Sequence, residues 1–254
     1  MNISICIPSY KRPFVETLKY IPSARVYVAK SQFDEYKKRN PNSNIISVEE
    51  KYQGNVCRIR NRIMDLEKDN ILCIVDDALQ YIGYWENKKD IKLDTEKEIY
   101  LFIEKYTIMA QDIGAKLWGI NVNKDKQVYT EHRPFSTTAY IGSPFMVHIH
   151  SDIRFDENLS LKEDYDFTLQ NLNKYRIVFR VNKYHYHVRQ KEQAGGVAEY
   201  RTLEREREQL LLLQKKWGSR IIKEDKLKSG KGRKSKKNRL YDINPIMHSP
   251  ISGV

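Results

Sequence analysis

Short apolar runs alternate with amphipathic stretches through the first third of this chain. Asn2–Ile7, Arg25–Ala29 and Asn44–Val48 are β-prone runs ended by proline or polar residues, and each reads as a strand. Ile71–Val75 is apolar at all five positions, the pattern of a strand buried on both faces. Between the strands, Pro13 suits the first turn of a helix over 14–20, and Ser31 caps a helix over 31–40. Gly54-Asn55 opens a third helix, with apolar residues at 56, 59, 63 and 66. This β/α alternation over residues 1–77 predicts a doubly wound sheet.

Further along, residues 84–97 are polar and charged and read as a surface excursion. A long amphipathic helix is expected over 98–115, with Leu101, Tyr106, Met109 and Ile113 among its apolar residues. Strands are expected over 117–121, 140–148 and 175–182, the last followed closely by His185 and His187. Ser160 opens a helix through Leu172, and a charged helix over 199–217 carries the run Leu210–Leu213. From Ser219 onward the chain is rich in Lys, Gly and Ser. The expected division is one α/β domain over 1–218 and a basic, flexible tail over 219–254.

Charge sharpens that division. The 254 residues carry a net charge of +12. Ten Lys/Arg against three acids put seven of those charges after Gly218. Such an excess suits a polyanionic partner, nucleic acid first. Lys231, Arg233, Lys234, Lys236 and Lys237 are the expected phosphate contacts. Forty per cent hydrophobic residues with 17 Tyr describe a folded protein. Cys6, Cys57 and Cys73 fit no zinc spacing and read as reduced packing residues. No run is long enough to cross a membrane and no signal peptide is visible, so the expectation is a soluble, cytoplasmic protein, in a host cell's cytoplasm if phage-encoded.

The chemistry begins where Ile71–Val75 ends in Asp76-Asp77. Open α/β sheets bind ligands at the carboxyl ends of their strands. Adjacent carboxylates repel unless a cation or a hydrogen-bonding ligand lies between them. Hard oxygen ligands suit Mg²⁺ or Mn²⁺ shared with phosphates. A strand ending in a turn, where Asp is common, fits the same two residues. Neither GxGxxG nor a Walker loop is present, so a nucleotide would not be held by those devices.

Taken in order, Ile7-Pro8-Ser9-Tyr10, Arg60-Asn61 on a helix, Ile74–Asp77 and Glu163-Asp164 at a helix start resemble the GT-A nucleotide-sugar transferases. More narrowly, with Val26–Ser31, Gln53–Asn61 and Gly195-Gly196 added, they resemble the TET-associated glycosyltransferases of bacteriophages, thought to glycosylate hydroxymethylpyrimidines in phage DNA. The resemblance implies a Rossmann-like GT-A fold with a mixed central sheet. It implies a hexosyltransferase moving a sugar from a nucleotide-sugar, a UDP-sugar first, to the hydroxyl of a hydroxymethylcytosine or hydroxymethyluracil in DNA. Pro8, Ser9, Tyr10, Arg12, Arg60, Asn61 and Asp76 would bind the donor. Asp77 and the late His187 would hold Mn²⁺ or Mg²⁺. Asp164, with Glu163, would deprotonate the acceptor. Many members extend the acid pair to a third acid, where this chain has Ala78. An enzyme depending on that third acid would here be inactive or metal-independent. A polysaccharide or protein acceptor, or a noncatalytic nucleic-acid-binding role, remain the alternative readings.

Overall fold

Along β1 (Ile3–Pro8) successive side chains enter two different cores: Ile5 and Ile7 face one side, Cys6 the other. β2 (Arg25–Ala29) and β3 (Asn44–Val48) lie beyond one edge of β1, and β4 (Ile71–Val75) lies along the other. β4 repeats the alternation, with Cys73 and Val75 on the first face and Leu72 and Ile74 on the second. Strands buried on both faces belong in the middle of a sheet. β1 and β4 run parallel there, with Ile3 opposite Ile71 and Cys6 opposite Ile74. The structure is a computed structural model that describes residues 1–68, 70–122, 129–188, 195–224, 243, 245–249 and 251.

The sheet continues through β5 (Leu79–Glu86), β6 (Lys89–Lys92), β7 (Leu117–Asn121), β8 (Phe135–Ser136), β9 (Phe145–His148) and β10 (Phe179–Val188). Its order is β3-β2-β1-β4-β9-β7-β10-β5-β6, with β8 paired to β10. β3, β2, β1 and β4 are mutually parallel, and β9 enters antiparallel between β4 and β7. The sheet is therefore mixed, as expected.

α1 (Phe33–Arg39) contributes Tyr36 to the first core, and α3 (Glu96–Asp112) covers that face with Ile99, Phe102, Ile103 and Tyr106. Thr95 and Glu98 form a reciprocal capping box at the start of α3. The second face is covered by α2 (Val56–Leu66), α4 (Glu163–Tyr175) and α5 (Leu203–Trp217). Asn55 caps α2 by accepting from the Cys57 N–H at 2.9 Å.

Several expectations change. Residues 84–97 are not an excursion: β5 and β6 form an antiparallel hairpin, and α3 begins at Glu96. Its turn residues Asn87 and Lys88 both have positive φ, 49° and 65°, as a tight hairpin turn requires. No glycine marks that turn. The expected helix over 14–20 is only a 3₁₀ turn, Glu16–Lys19. β9 is shorter than the strand expected over 140–148. β10 extends through Val188, so His185 and His187 lie within a strand rather than after one.

The packed chain also runs past the expected boundary at 218. β11 (Ile222–Glu224) pairs antiparallel with β12 (Pro245–Met247), Ile222 is fully buried, and Gln214 Nε2 donates to the Ile222 carbonyl at 3.1 Å. Lys231, Arg233, Lys234, Lys236 and Lys237 lie outside the described residues.

Glu67 fixes the amino edge of the sheet. Arg25 Nη1 donates to Oε2 at 2.6 Å, the Tyr27 hydroxyl to Oε1 at 2.5 Å, and Asn70 Nδ2 to Oε2 at 2.7 Å. Burial alone would push this carboxyl up. Hydrogen bonds from Tyr27, Ser4, Arg25 and Asn70 outweigh it and bring the pKa down from 4.5 to about 2. A depressed folded pKa gives stability that is present above the unfolded value and lost as pH falls toward the folded one. Glu67→Gln should cost about 2 kcal/mol at neutral pH. The gap from the native chain should shrink between pH 4.5 and 2 and close below that, as measured by urea unfolding at stepped pH. A gap independent of pH would show that the carboxylate's charge is not what stabilises this edge.

Candidate active site

Two loops meet where β1 and β4 end side by side. Thr17, in the 3₁₀ turn, fixes the second of them. Its hydroxyl donates to the Asp76 carbonyl at 2.6 Å and accepts from the Leu79 N–H at 3.0 Å, while its N–H donates to the Asp77 carbonyl at 3.2 Å. Asp76 N–H donates to the Pro144 carbonyl at 3.0 Å, which fixes the loop from the other side.

The Asp77 side chain is 6% exposed and engaged at both oxygens. Ser9 Oγ donates to Oδ2 at 2.6 Å, and Arg12 Nη1 donates to Oδ1 at 3.1 Å. Behind Ser9, the Tyr36 hydroxyl lies 2.9 Å from Ser9 Oγ and accepts from the Arg12 N–H at 2.8 Å. Because Ser9 gives its one proton to Asp77, Tyr36 must donate to Ser9. Burial raises the Tyr36 pKa to about 12, so that proton stays in place. Burial first and Asp76 second push the Asp77 carboxyl above the usual range, against Arg12 and Ser9. Asp76 is half-buried, with Oδ1 accepting from the Ala78 N–H at 3.0 Å.

Arg12 also holds a strap formed by residues 195–200. Its Nη2 donates to the Gly195 carbonyl at 3.0 Å, and the Gly196 N–H donates to the Tyr10 carbonyl at 2.8 Å. Lys11 pairs with Glu199 at 2.7 Å. Gly195 has φ +90°, and a Cβ there would fall 2.6 Å from the Lys11 carbonyl oxygen and 2.7 Å from that of Tyr10. Only glycine lets the two backbones approach so closely.

Between loops, strap and helices lies an open cleft, lined from one side by the loops after β1 and β4 and from the other by α2 and the start of α4. Its other wall carries a buried ion pair: Arg60 Nη1 donates to Glu163 Oε1 at 2.9 Å, and both side chains are less than 10% exposed. Burial, then the neighbouring Asp164, push the Glu163 carboxyl up to about 7, with Arg60 acting the other way. Among the described residues, Arg60 Nε and Gln53 Nε2 are buried without hydrogen-bond partners. Both residues line the cleft. Orphan donors of this kind mark a surface suited to an acceptor-bearing ligand.

Pro8, Ser9, Tyr10, Arg12, Arg60, Asp76, Asp77 and Glu163, all singled out from the sequence, line this one cleft. Asn61, Asp164 and His187 are not among its lining residues. The Asn61 amide is used by the backbone: Nδ2 donates to the Phe155 carbonyl and Oδ1 accepts from the Phe155 N–H, each at 2.9 Å. Asp164 lies behind the wall, where Oδ2 accepts from the Tyr140 hydroxyl and the Ser143 N–H, and Oδ1 from the Tyr165 N–H at 2.9 Å. His187 faces Tyr81 across the β5–β10 pair, its ring stacked on the tyrosine at 5.2 Å. Sequence reasoning missed Thr17 and Tyr36, which touch no ligand space but fix Asp76 and Ser9. It also missed Tyr200, whose strap meets the cleft only after folding.

A divalent cation does not fit the donor set found. The described residues contain no group of three His, Cys, Asp or Glu side chains that could hold one. The third acid position is Ala78, and Asp77, the expected direct ligand with His187, already has a guanidinium on one oxygen and a hydroxyl on the other. Asp77 and His187, expected to hold Mn²⁺ or Mg²⁺, are not part of such a three-residue group among the described residues.

A search of curated proteins gives no match. Among solved structures, the mannosyltransferase PcManGT from Pyrobaculum calidifontis, in complex with GDP-Man and Mn²⁺, aligns over 91% of this chain at 10% identity with a TM-score of 0.50. S. aureus TarS 1-349 aligns over 84% at 13% identity with a TM-score of 0.47. The chain spans 66% of the length of each. No helix among the described residues is long and apolar enough to cross a membrane. The family model for TET-associated glycosyltransferases matches residues 21–196, more than two thirds of the sequence. With the sheet and cleft described above, that match makes the chain a member of the TET-associated glycosyltransferase family, built on a GT-A fold.

Proposed function

We propose that this protein transfers a hexose from a nucleoside-diphosphate sugar, a UDP-sugar first, to the hydroxymethyl hydroxyl of a modified pyrimidine in DNA. The observation that carries the reading is that one cleft joins the Arg12 guanidinium to a second wall bearing the Glu163 carboxyl. The leaving nucleoside diphosphate gains negative charge as the glycosidic bond breaks, and a fixed guanidinium stabilises it. The acceptor hydroxyl must lose a proton as it attacks, which calls for a base. Glu163 borders the cleft and takes that role. Asp164 orients the start of α4 through Tyr140 and Ser143. Asp76, Ser9 and Tyr10 border the donor, and Arg60 holds Glu163 in place.

DNA as acceptor draws on the family's resemblance and on the charge distribution. Seven of the twelve net positive charges follow Gly218, and Lys231, Arg233, Lys234, Lys236 and Lys237 supply salt-sensitive phosphate contacts. The hydroxymethyl group is reached either in the major groove or with the base flipped out.

Mass spectrometry of hydroxymethylcytosine and hydroxymethyluracil DNA, incubated with UDP-, GDP- and CDP-sugars, should show a hexose added to one of the two bases. Unmodified mass with every donor, alongside transfer to a protein or glycan acceptor, would reject DNA. In the same assay Glu163→Gln should reduce turnover by about 10²-fold or more. A base works deprotonated, so native activity should rise with pH through about 7, the raised value of Glu163, and level off above it. A pH profile unchanged by Glu163→Gln would place the base elsewhere.

A further inference from the structure

The cleft has a cation of its own. We infer that Arg12 stands where a divalent metal would otherwise work, and that nucleoside diphosphates bind this protein through Arg12 without one. This rests on the glycosyltransferase reading above and goes beyond it by specifying what meets the diphosphate.

Four observations converge on Arg12. First, the acid positions do not make a metal site: Ala78 replaces the third acid, and the described residues offer no cluster of three ligands. Second, Asp77 is buried with its oxygens taken by Ser9 and Arg12, so a metal there would have to displace a guanidinium 3.1 Å away. Third, Arg12 is built into place rather than laid on a surface. Its backbone N–H is held by Tyr36, its Nη2 by the Gly195 carbonyl, and Gly196 packs so closely that a Cβ would lie 3.1 Å from the guanidinium carbon. Fourth, it lines the cleft beside Asp76 and Tyr10. A guanidinium is always charged and presents donors in a planar fork that matches phosphate oxygens.

Asp77 then has a different task from metal ligation. It is the counter-ion that keeps Arg12 oriented while the cleft is empty. An arriving diphosphate competes with Asp77 for the guanidinium, and the strap at Gly195 shares the same side chain. Donor binding and the position of the strap are thereby coupled through one residue. No bond is made or broken in this exchange.

The experiment is calorimetry of the full chain with UDP, GDP and CDP, first in EDTA and then with MnCl₂. One diphosphate should bind in EDTA, with affinity changing less than threefold when Mn²⁺ is added. Arg12→Ala should weaken that binding at least 30-fold, and Arg12→Lys, which keeps the charge but not the fork, by about fivefold to tenfold. Asp77→Asn should tighten binding in EDTA about threefold, because the competing carboxylate is gone. Circular dichroism melts would separate these effects from loss of folding. Manganese alone, followed by its electron paramagnetic resonance signal, should not bind stoichiometrically. Binding that requires Mn²⁺ and is lost in Asp77→Asn would overturn the inference and leave the glycosyltransferase reading intact. Failure of all three diphosphates to bind with or without Mn²⁺ would overturn both.

Discussion

A carboxylate that is 6% exposed cannot stand without partners, and Asp77 organises its surroundings accordingly. Leaving such a charge buried and unpaired costs several kcal/mol. Ser9 and Arg12 meet that demand, but each needs support of its own. Ser9 is oriented by Tyr36, which belongs to α1 and to the first core. Arg12 is held by the same Tyr36 through its backbone and by Gly195 through its side chain. One buried charge thus connects the end of β4, the loop after β1, a helix and the strap. These contacts span 24 to 183 positions in sequence, so they form only once the sheet is assembled.

The mixed topology makes the cleft two-walled. Parallel β1 and β4 bring the 9–13 loop and Asp76-Asp77 to one edge. β9, entering antiparallel beside β4, brings residues 142–145 to that same edge, where Pro144 accepts from Asp76 N–H and Ser143 N–H reaches Asp164. Asp164 in turn fixes the start of α4, which presents Glu163 to the cleft. A purely parallel sheet would place a crossover helix after β4 and leave the second wall without this anchor.

The strands with the strongest local signals were legible in the sequence. Continuous or alternating apolar runs at β1 to β4 gave both their positions and the edge on which Asp76-Asp77 would lie. The β5–β6 hairpin was not legible, because its turn uses Asn87-Lys88 rather than a glycine pair and its outer strand is mostly charged. His185 and His187 were placed after a strand for a related reason. In β10 the alternating Tyr184-His185-Tyr186-His187 is a pattern that polar aromatics can carry as well as aliphatics. Of the site, residue types and their cleft were legible, but not their partners. Nothing local tells Arg60 that its carboxylate lies 103 positions away, or tells Asn61, one step along the same helix, that it will be spent on the Phe155 backbone.

The electrostatics of the cleft follow from those partnerships. Arg12 is matched by Asp77 and Arg60 by Glu163, and the described residues give Asp76, on the same wall as Arg12, no ion-pair partner. A ligand carrying two phosphates meets a site that is not strongly positive, despite the chain's net charge of +12. Under the proposal above, its binding would come from rearranging charge already present rather than from filling a cationic hole. Burial makes that exchange favourable: in a low-dielectric cleft, a guanidinium that trades a single carboxylate contact for a bidentate phosphate contact loses little and can gain a second charge-assisted hydrogen bond. The carboxylate left behind is not stranded, because Ser9 still donates to it. The same buried pair that stabilises the empty site thus keeps the cost of opening it low.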